Sequence, residues 1–171
     1  MELKLLKKDF QEVDFKSNKV SFEYDNIDSD EIEIILKIEN IIAGYIRLKT
    51  FKDLEEYQDK GFVSFIKIYD DKTIFYGHNK HKNIRREPIN FKGNNLSILL
   101  YLEAAKHLSK ENKFLVASRH QQKEAEKNWE KMIDLGFPVK NHKIKYGNYY
   151  LIHRILDLRE EKNTDERIFK I

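Results

Sequence analysis

Residues 90–118 have the sequence NFKGNNLSILLYLEAAKHLSKENKFLVAS, and this stretch decides the fold. Asn94 and Asn95 are residues that often begin helices, and the polar positions after them are three and four apart, so the spacing predicts a helix over 96–109. Because this helix is apolar nearly all round, we expect it to be largely buried. Segment 113–118, KFLVAS, is too short for a helix and predicts a strand in the interior of a sheet.

An amphipathic helix is predicted next along the chain, over 121–135. From Ala125 onward, apolar residues recur at i, i+4, i+7 and i+8, which is typical of a helix with one face on the core. Trp129 belongs to this apolar face, so we interpret it as a structural and not a catalytic residue. Gly136 can take the left-handed conformation that ends a helix, and Pro138 prevents the helix from continuing.

The first half of the chain has the alternation of strands. Apolar and charged residues alternate up to a turn at Glu39 and Asn40, so 31–49 predicts a hairpin whose first strand is half-buried. A second hairpin is predicted from 62–69 and 73–78, which flank a short acidic turn.

Three further segments complete the prediction. Residues 51–61 predict one short helix ended by Gly61, 143–156 predict one or two final strands, and LKLLKK and VSFEY within 1–30 are candidate strands. Elements in this order predict an α/β (α+β) domain, with a mixed, mostly antiparallel sheet flanked by helices.

Composition limits the classes of protein that this chain can belong to. Its 171 residues suit a single domain, which we place over 1–158, followed by a charged tail over 159–171. The absence of cysteine excludes disulfides, thiolate metal sites and a cysteine nucleophile. No apolar run is long enough to span a membrane and no secretory segment is visible, so we expect a cytoplasmic protein.

Positive charge is concentrated in one loop. The formal net charge is only +3, but five of the residues between Asn79 and Asn95 are basic: Lys80, Lys82, Arg85, Arg86 and Lys92. A solvated loop, a contact for phosphate groups and a nucleic-acid contact, the last using 80–92, are all consistent with this cluster. His78 and His81 have a spacing that suits metal ligands on a helix, but they follow a strand without nearby carboxylates, and we predict no metal site.

The order and spacing of these parts resemble the GCN5-related N-acetyltransferase (GNAT) superfamily. The matching parts are IIAGYIRL, NFKGNNLSILLYLEAAKHL, KFLVAS and QKEAEKNWEKMIDLGF, and the resemblance covers roughly 31–156. It implies a GNAT-like domain in which the loop and helix after the fourth strand bind the pyrophosphate of acetyl-CoA. It also implies transfer of an acetyl group to an amine of a small molecule or a protein.

The resemblance places a cofactor site at the start of the first long helix, where unpaired backbone N–H groups and the helix dipole favour an anion. Its candidate residues are Lys92, Gly93, Asn94, Asn95 and Leu96, together with Arg86 and Gln122. The family loop follows Gln/Arg-x-x-Gly-x-Gly/Ala, and of these defining positions only Gly93 is kept here.

The catalytic positions of the family are altered. Members often carry Asn-x-x-Ala-x-x-x-Tyr in the later helix, whereas this chain has Gln122, Ala125 and Trp129, and an indole cannot act as a general acid. Many members also use a Glu on the fourth strand as a base, and FVSFIKIY contains none.

Tyrosines of the final hairpin are the remaining catalytic candidates, as a substitute general acid, because in this fold that hairpin borders the acceptor site. They are Tyr146, Tyr149 and Tyr150, which can equally be ordinary strand aromatics. Three functions are therefore open: an acyl-CoA-dependent N-acyltransferase, a GNAT-fold binding or regulatory module without acyl transfer, and a nucleic-acid-associated protein.

Overall fold

The computed structural model describes residues 20–72, 75–76, 84–85, 89–93, 95–118 and 123–159. Its elements in chain order are β1 (Val20–Asn26), β2 (Glu31–Ile38), β3 (Ile41–Lys49), a 3-10 turn (Glu55–Tyr57), β4 (Lys60–Ile68), β5 (Phe75–Tyr76), β6 (Ile84–Arg85), α1 (Leu96–Lys110), β7 (Phe114–Val116), α2 (Lys123–Asp134), β8 (Val139–Tyr146) and β9 (Tyr149–Leu156). None of the helices in these described ranges is both long enough and apolar enough to cross a bilayer.

Within the described residues, seven strands form one sheet in the order β1-β2-β3-β4-β7-β9-β8. Only β4 and β7 are parallel, and the other neighbours in this sheet are antiparallel. The predicted mixed, mostly antiparallel sheet is confirmed, and so is the interior position of the strand within 113–118, because β7 lies between β4 and β9. The expected succession in the C-terminal half, a strand, a buried helix, a strand, an amphipathic helix and final strands, is also confirmed.

The predicted hairpin over 31–49 is confirmed as the β2–β3 pair. Glu39 and Asn40 have φ angles of 52° and 67°, the left-handed values that a tight two-residue hairpin turn requires. The prediction of a half-buried first strand is wrong, since Glu33 through Leu36 are all buried. Alternation fails there because Glu33 is buried in an ion pair with Arg47, whose own side chain stays 24% exposed.

The predicted second hairpin is wrong. Phe75–Tyr76 pairs with Ile84–Arg85 in a separate two-stranded sheet, and the other residues of 73–78 lie outside the described residues. Residues 62–68 belong instead to β4, which pairs with β3 along one edge and with β7 along the other. A mainly apolar segment suits a central strand as well as a hairpin arm, and its composition does not specify which strands pair with it.

The expected helix over 51–61 is reduced to the turn Glu55–Tyr57, and Gly61 lies inside β4. A Cβ on Gly61 would be 2.5 Å from both terminal methyls of Leu108, so any larger residue there forces Leu108 or the α1–β4 packing to shift. Of the predicted strands in 1–30, VSFEY is confirmed within β1, and LKLLKK lies outside the described residues.

The main core lies between one face of the sheet and α1, nine of whose residues are buried. The predicted helix over 96–109 is confirmed, as is the described part of the helix predicted over 121–135. The side chain of Trp129 is fully buried and packs 5.1 Å from the Tyr101 ring centroid, which confirms its place in the core. Burial raises the pKa of Tyr101 to about 12, although its hydrogen bond with Trp129 acts in the opposite direction.

Candidate functional site

An opening begins where β4 and β7 stop pairing. The two parallel strands are paired only from Lys60 with Phe114 to Phe62 with Val116. β7 ends there, whereas β4 continues to Ile68 with β3 on its other edge. Backbone groups on the β7 side of β4 beyond Phe62 therefore face the opening, where an extended ligand can meet them as an added strand would.

A bulge in β4 lies just after the last residue that pairs with β7. Leu48 is opposite Val63 and Arg47 is opposite Phe65, so Ser64 is the extra residue. A bulge bends its strand and increases the local twist. The Ser64 hydroxyl lies 3.3 Å from the Arg47 carbonyl oxygen, which holds the bulged residue against β3. The bulge therefore marks where β4 turns away from its parallel neighbour.

The N-terminus of α1 lies at the carboxyl ends of β4 and β7, which is the end of the sheet where this opening begins. The backbone N–H of Phe91 donates to the carbonyl of Tyr69, directly after β4, at 2.9 Å. A helix that connects two parallel strands runs back along them, so its N-terminus is at the strands' carboxyl ends. Gly93 in this loop has a φ of 83°, and apart from the glycine itself and its two chain neighbours no described atom lies within 4 Å of an added Cβ. As far as the described residues go, there is space beside Gly93.

Asn95 occupies the cap position of α1, as predicted, but in an unexpected way. Its φ is 58°, and among the described atoms its side chain makes no capping hydrogen bond. Its Oδ1 instead accepts a hydrogen bond from the Lys131 Nζ of α2 at 2.5 Å. This contact brings a cation to the helix N-terminus that sequence reasoning missed, because no local pattern links residues 36 positions apart.

The other predicted cofactor residues have different fates. The Lys92 side chain is 58% exposed and its Nζ lies 3.5 Å from Asp70 Oδ2, so its charge is partly neutralised. Leu96 is buried, which leaves only its backbone for a ligand. Asn94, Arg86 and Gln122 lie outside the described residues, as does most of the basic 80–92 loop.

Of the three tyrosine candidates, two lie together and one lies apart. The Tyr146 and Tyr149 rings stack at 5.9 Å between centroids. Tyr150 points to the opposite face of the hairpin, where the Lys143 Nζ lies 4.7 Å from its ring centroid. Since Tyr146 shares the sheet face of the buried Ile144, it is directed inward.

Tyr57 connects this pair of tyrosines to β4. Its ring centroid is 6.1 Å from that of Tyr146 and 5.7 Å from that of Phe62, the last β4 residue paired with β7. Burial, assisted by the charge of Glu56, raises the pKa of the Tyr57 hydroxyl, which donates a 2.5 Å hydrogen bond to the Lys145 carbonyl. The Tyr57 side chain therefore fixes the hairpin beside the start of the opening.

His153 is a residue at this site that sequence reasoning did not assign to any role. It is only 5% exposed, with Nε2 at 2.8 Å from the Tyr146 hydroxyl and Nδ1 at 3.0 Å from the Ala117 carbonyl oxygen. Ala117 is the first residue after β7, so the imidazole lies where β7 leaves β4. The only available signal was a histidine within the apolar pattern of β9.

The described residues contain no cluster of three or more His, Asp or Glu side chains suited to a metal ion. His78 and His81, for which no metal site was predicted, are outside these residues. The groups that the described part of the site brings together are a helix N-terminus, a strand edge, Tyr146 and His153.

Comparisons with known proteins give structural likenesses only, since no family model and no curated protein matches the chain. The chain is similar to yncA, a proposed acetyltransferase from Salmonella typhimurium solved with its cofactor acetyl-CoA, at 17% identity and a TM-score of 0.44 over 79% of this chain and 69% of that one. It is also similar to a proposed GNAT-family acetyltransferase from Desulfovibrio desulfuricans, at 11% identity and a TM-score of 0.44. That likeness covers 74% of this chain and 69% of the other. A third similar structure is a GNAT-family acetyltransferase from Streptococcus pneumoniae, at 15% identity and a TM-score of 0.42, over 75% of this chain and 66% of the other. All three likenesses are distant.

Proposed function

We propose that this protein is an acyl-CoA-dependent N-acyltransferase that moves an acetyl group from acetyl-CoA to an amine of a small molecule or a protein. The observation that supports this most directly is the separation of β4 from β7 after three paired positions. It lies at the carboxyl ends of these strands, where α1 begins. An extended ligand with an anionic end fits such a place, because a strand edge offers hydrogen bonds and a helix N-terminus attracts the anion.

The residues present fit acetyl-CoA both at the start of α1 and along the free edge of β4. The open space beside Gly93, the backbone N–H groups at the start of α1 and the Lys131 Nζ would hold the pyrophosphate. The edge of β4 beyond Phe62 would hold the amide-containing arm. The thioester would supply an activated acyl carbon, and this chain's own contribution would be to hold that carbon beside Tyr146.

Acyl transfer by direct attack needs only a few groups. The amine nitrogen forms a bond to the acyl carbon as the carbon–sulfur bond breaks, and a positioned hydroxyl can move a proton during this step. Tyr146 is the catalytic candidate that we retain, with Tyr149 stacked against it. Tyr150 is not assigned a role, because it lies on the other face of the hairpin.

Calorimetric titration with CoA tests this proposal, and two glycines provide a matched pair. Gly93 and Gly136 have φ angles of 83° and 84°, and an added Cβ at either would meet open space. Gly93→Val and Gly136→Val should therefore strain the backbone to a similar degree. We expect Gly93→Val to abolish CoA binding and Gly136→Val to retain it, since Gly136 merely ends α2.

A thermal shift gives a second and independent measurement. Saturating acetyl-CoA should stabilise the parent protein, by about 2.7 kcal/mol at a hundred times the dissociation constant. A parent protein that shows neither heat of binding nor a thermal shift at millimolar CoA would refute the proposal. Binding of CoA without transfer to any of a panel of amines would instead favour the non-catalytic GNAT-fold module.

A further inference from the structure

Tyr146, His153 and Ala117 form a hydrogen-bonded chain with a defined direction. The Ala117 carbonyl oxygen can only accept a hydrogen bond, so the His153 Nδ1, 3.0 Å away, must carry the hydrogen. In the neutral ring the other nitrogen is then an acceptor, and the Tyr146 hydroxyl, 2.8 Å from Nε2, is the donor. The backbone of one residue thereby sets the tautomer of the imidazole and the direction in which the Tyr146 proton points.

The position of this chain of hydrogen bonds relates it to the opening. The Ala117 N–H donates to the Arg154 carbonyl at 2.9 Å, which extends the pairing of β7 with β9 by one residue. Its carbonyl is therefore held rigidly, at the point where β7 no longer has β4 beside it. Tyr146 lies on the same face of the sheet as His153. The ring of Tyr57 contacts both Tyr146 and Phe62 and so links them across the start of the opening.

We propose that Tyr146 and His153 act as a proton relay that accepts the proton lost by the acceptor amine, an inference that rests on the proposed acyl transfer. The amine nitrogen bonds to the acyl carbon, and the carbon–sulfur bond breaks with its electron pair on sulfur. The amine proton passes to the Tyr146 Oη as the hydroxyl proton passes to His153 Nε2. The imidazolium afterwards returns a proton towards solvent through Tyr146, and the CoA thiolate takes one from solvent.

This direction differs from the general-acid role expected for the hairpin tyrosines. A tyrosine whose proton points at an imidazole lone pair is arranged to receive a proton on its oxygen and to pass its own inward. Tyr146 would touch the amine and is a catalytic residue in this scheme. His153 acts through Tyr146 and is a positioning residue, held by Ala117 in the only tautomer that can accept.

Nitrogen-15 NMR of the imidazole rings tests the tautomer without any turnover. The chain has 6 histidines, so the His153 signals are assigned by their loss in His153→Asn. We expect a protonated Nδ1, an unprotonated Nε2, and a change in the Nε2 shift in Tyr146→Phe. Protonation on Nε2 instead would overturn the proposal, because His153 would then be unable to accept the Tyr146 proton.

Steady-state acetyl transfer tests the role of the relay with matched variants. The side-chain amide of Asn can still donate to the Ala117 carbonyl but lacks the Nε2 acceptor, so His153→Asn keeps the structural bond and removes the relay. His142 is directly opposite His153 in the β8–β9 pair, with its ring against Phe114, and His142→Asn is the control. We expect His153→Asn and Tyr146→Phe to lower kcat by about 10²-fold or more with the KM for acetyl-CoA unchanged, and His142→Asn to resemble the parent.

The outcomes separate this inference from the proposed function. A parent that transfers acetyl groups, together with a His153→Asn variant whose kcat stays within about twofold of it, would overturn the relay alone. A parent that does not bind CoA, or binds it and acetylates no amine, would overturn acyl transfer and the relay with it.

Discussion

The two edges of β4 differ in how far they are paired. Along its β3 edge the strand is paired from Phe62 to Ile68, interrupted only by the bulge at Ser64. Along its β7 edge it is paired for three residues and then faces the opening. One strand thus contributes to the core through one edge and to a candidate binding site through the other. We therefore expect variants in the core that packs against α1 to change the stability of the fold. Variants at the opening should instead change CoA binding.

Trp129→Ala should give the largest loss of stability. The indole is fully buried against Tyr101, and truncation of a buried aromatic residue typically costs about 3–5 kcal/mol. Urea denaturation measures the loss, and Ile133→Ala on the same helix is the control, since Ile133 is 46% exposed. If Trp129→Phe were as stable as the parent and yet inactive, Trp129 would have a catalytic role that this core position does not explain.

Gly61→Ala should have the next largest effect, and it tests the paired part of β4. The new Cβ would meet Leu108 at 2.5 Å, and overpacking of this kind costs about 1–3 kcal/mol. Because Gly61 lies before the opening, CoA affinity of the folded variant should equal that of the parent.

A second variant identifies the cause of that loss. Truncating Leu108 to Ala removes the clash, so the double variant should be less destabilised than the sum of the two single variants. Additive losses would show that the close approach of α1 to β4 is not what requires glycine at position 61.

Lys131→Ala should have the smallest effect, and it changes affinity rather than stability. An exposed lysine contributes about 1 kcal/mol or less, so we expect a modest loss of CoA affinity and a weaker dependence of affinity on salt. Lys110→Ala, at the other end of α1, is the control. Lys92→Ala should weaken binding less than Lys131→Ala, because Lys92 already pairs with Asp70. Calorimetry at two salt concentrations decides between the two lysines.

The sequence predicted the elements whose patterns are local. The apolar surface of α1, the stripe on α2 and the alternation that ends at Glu39 are each contained in one segment, and the structure bears them out as elements. The second hairpin was predicted wrongly because Phe75–Tyr76 and β4 each have apolar strand composition, which does not specify a partner. Choice of partner depends on contacts formed elsewhere in the sheet.

The candidate site was less predictable for a related reason. Gly93 and the start of α1 were found because a glycine and a helix cap leave a local signature. The contacts of Lys131 with Asn95 and of His153 with Ala117 each join residues 36 positions apart. No periodicity relates such residues, and only the packing of α2 and β9 brings them together.

The brevity of β7 has a mechanical consequence for the whole sheet. Three residue pairs join β7 to β4, and two, extended by the hydrogen bond of Ala117 to Arg154, join it to β9. The four N-terminal strands and the C-terminal hairpin are thus tied, within the sheet, through one narrow waist. A substitution at Leu115 or Val116 loosens both ties at once, whereas a substitution in β2 acts within a single half. The point where the opening begins and the link between the two halves of the sheet therefore depend on the same three residues.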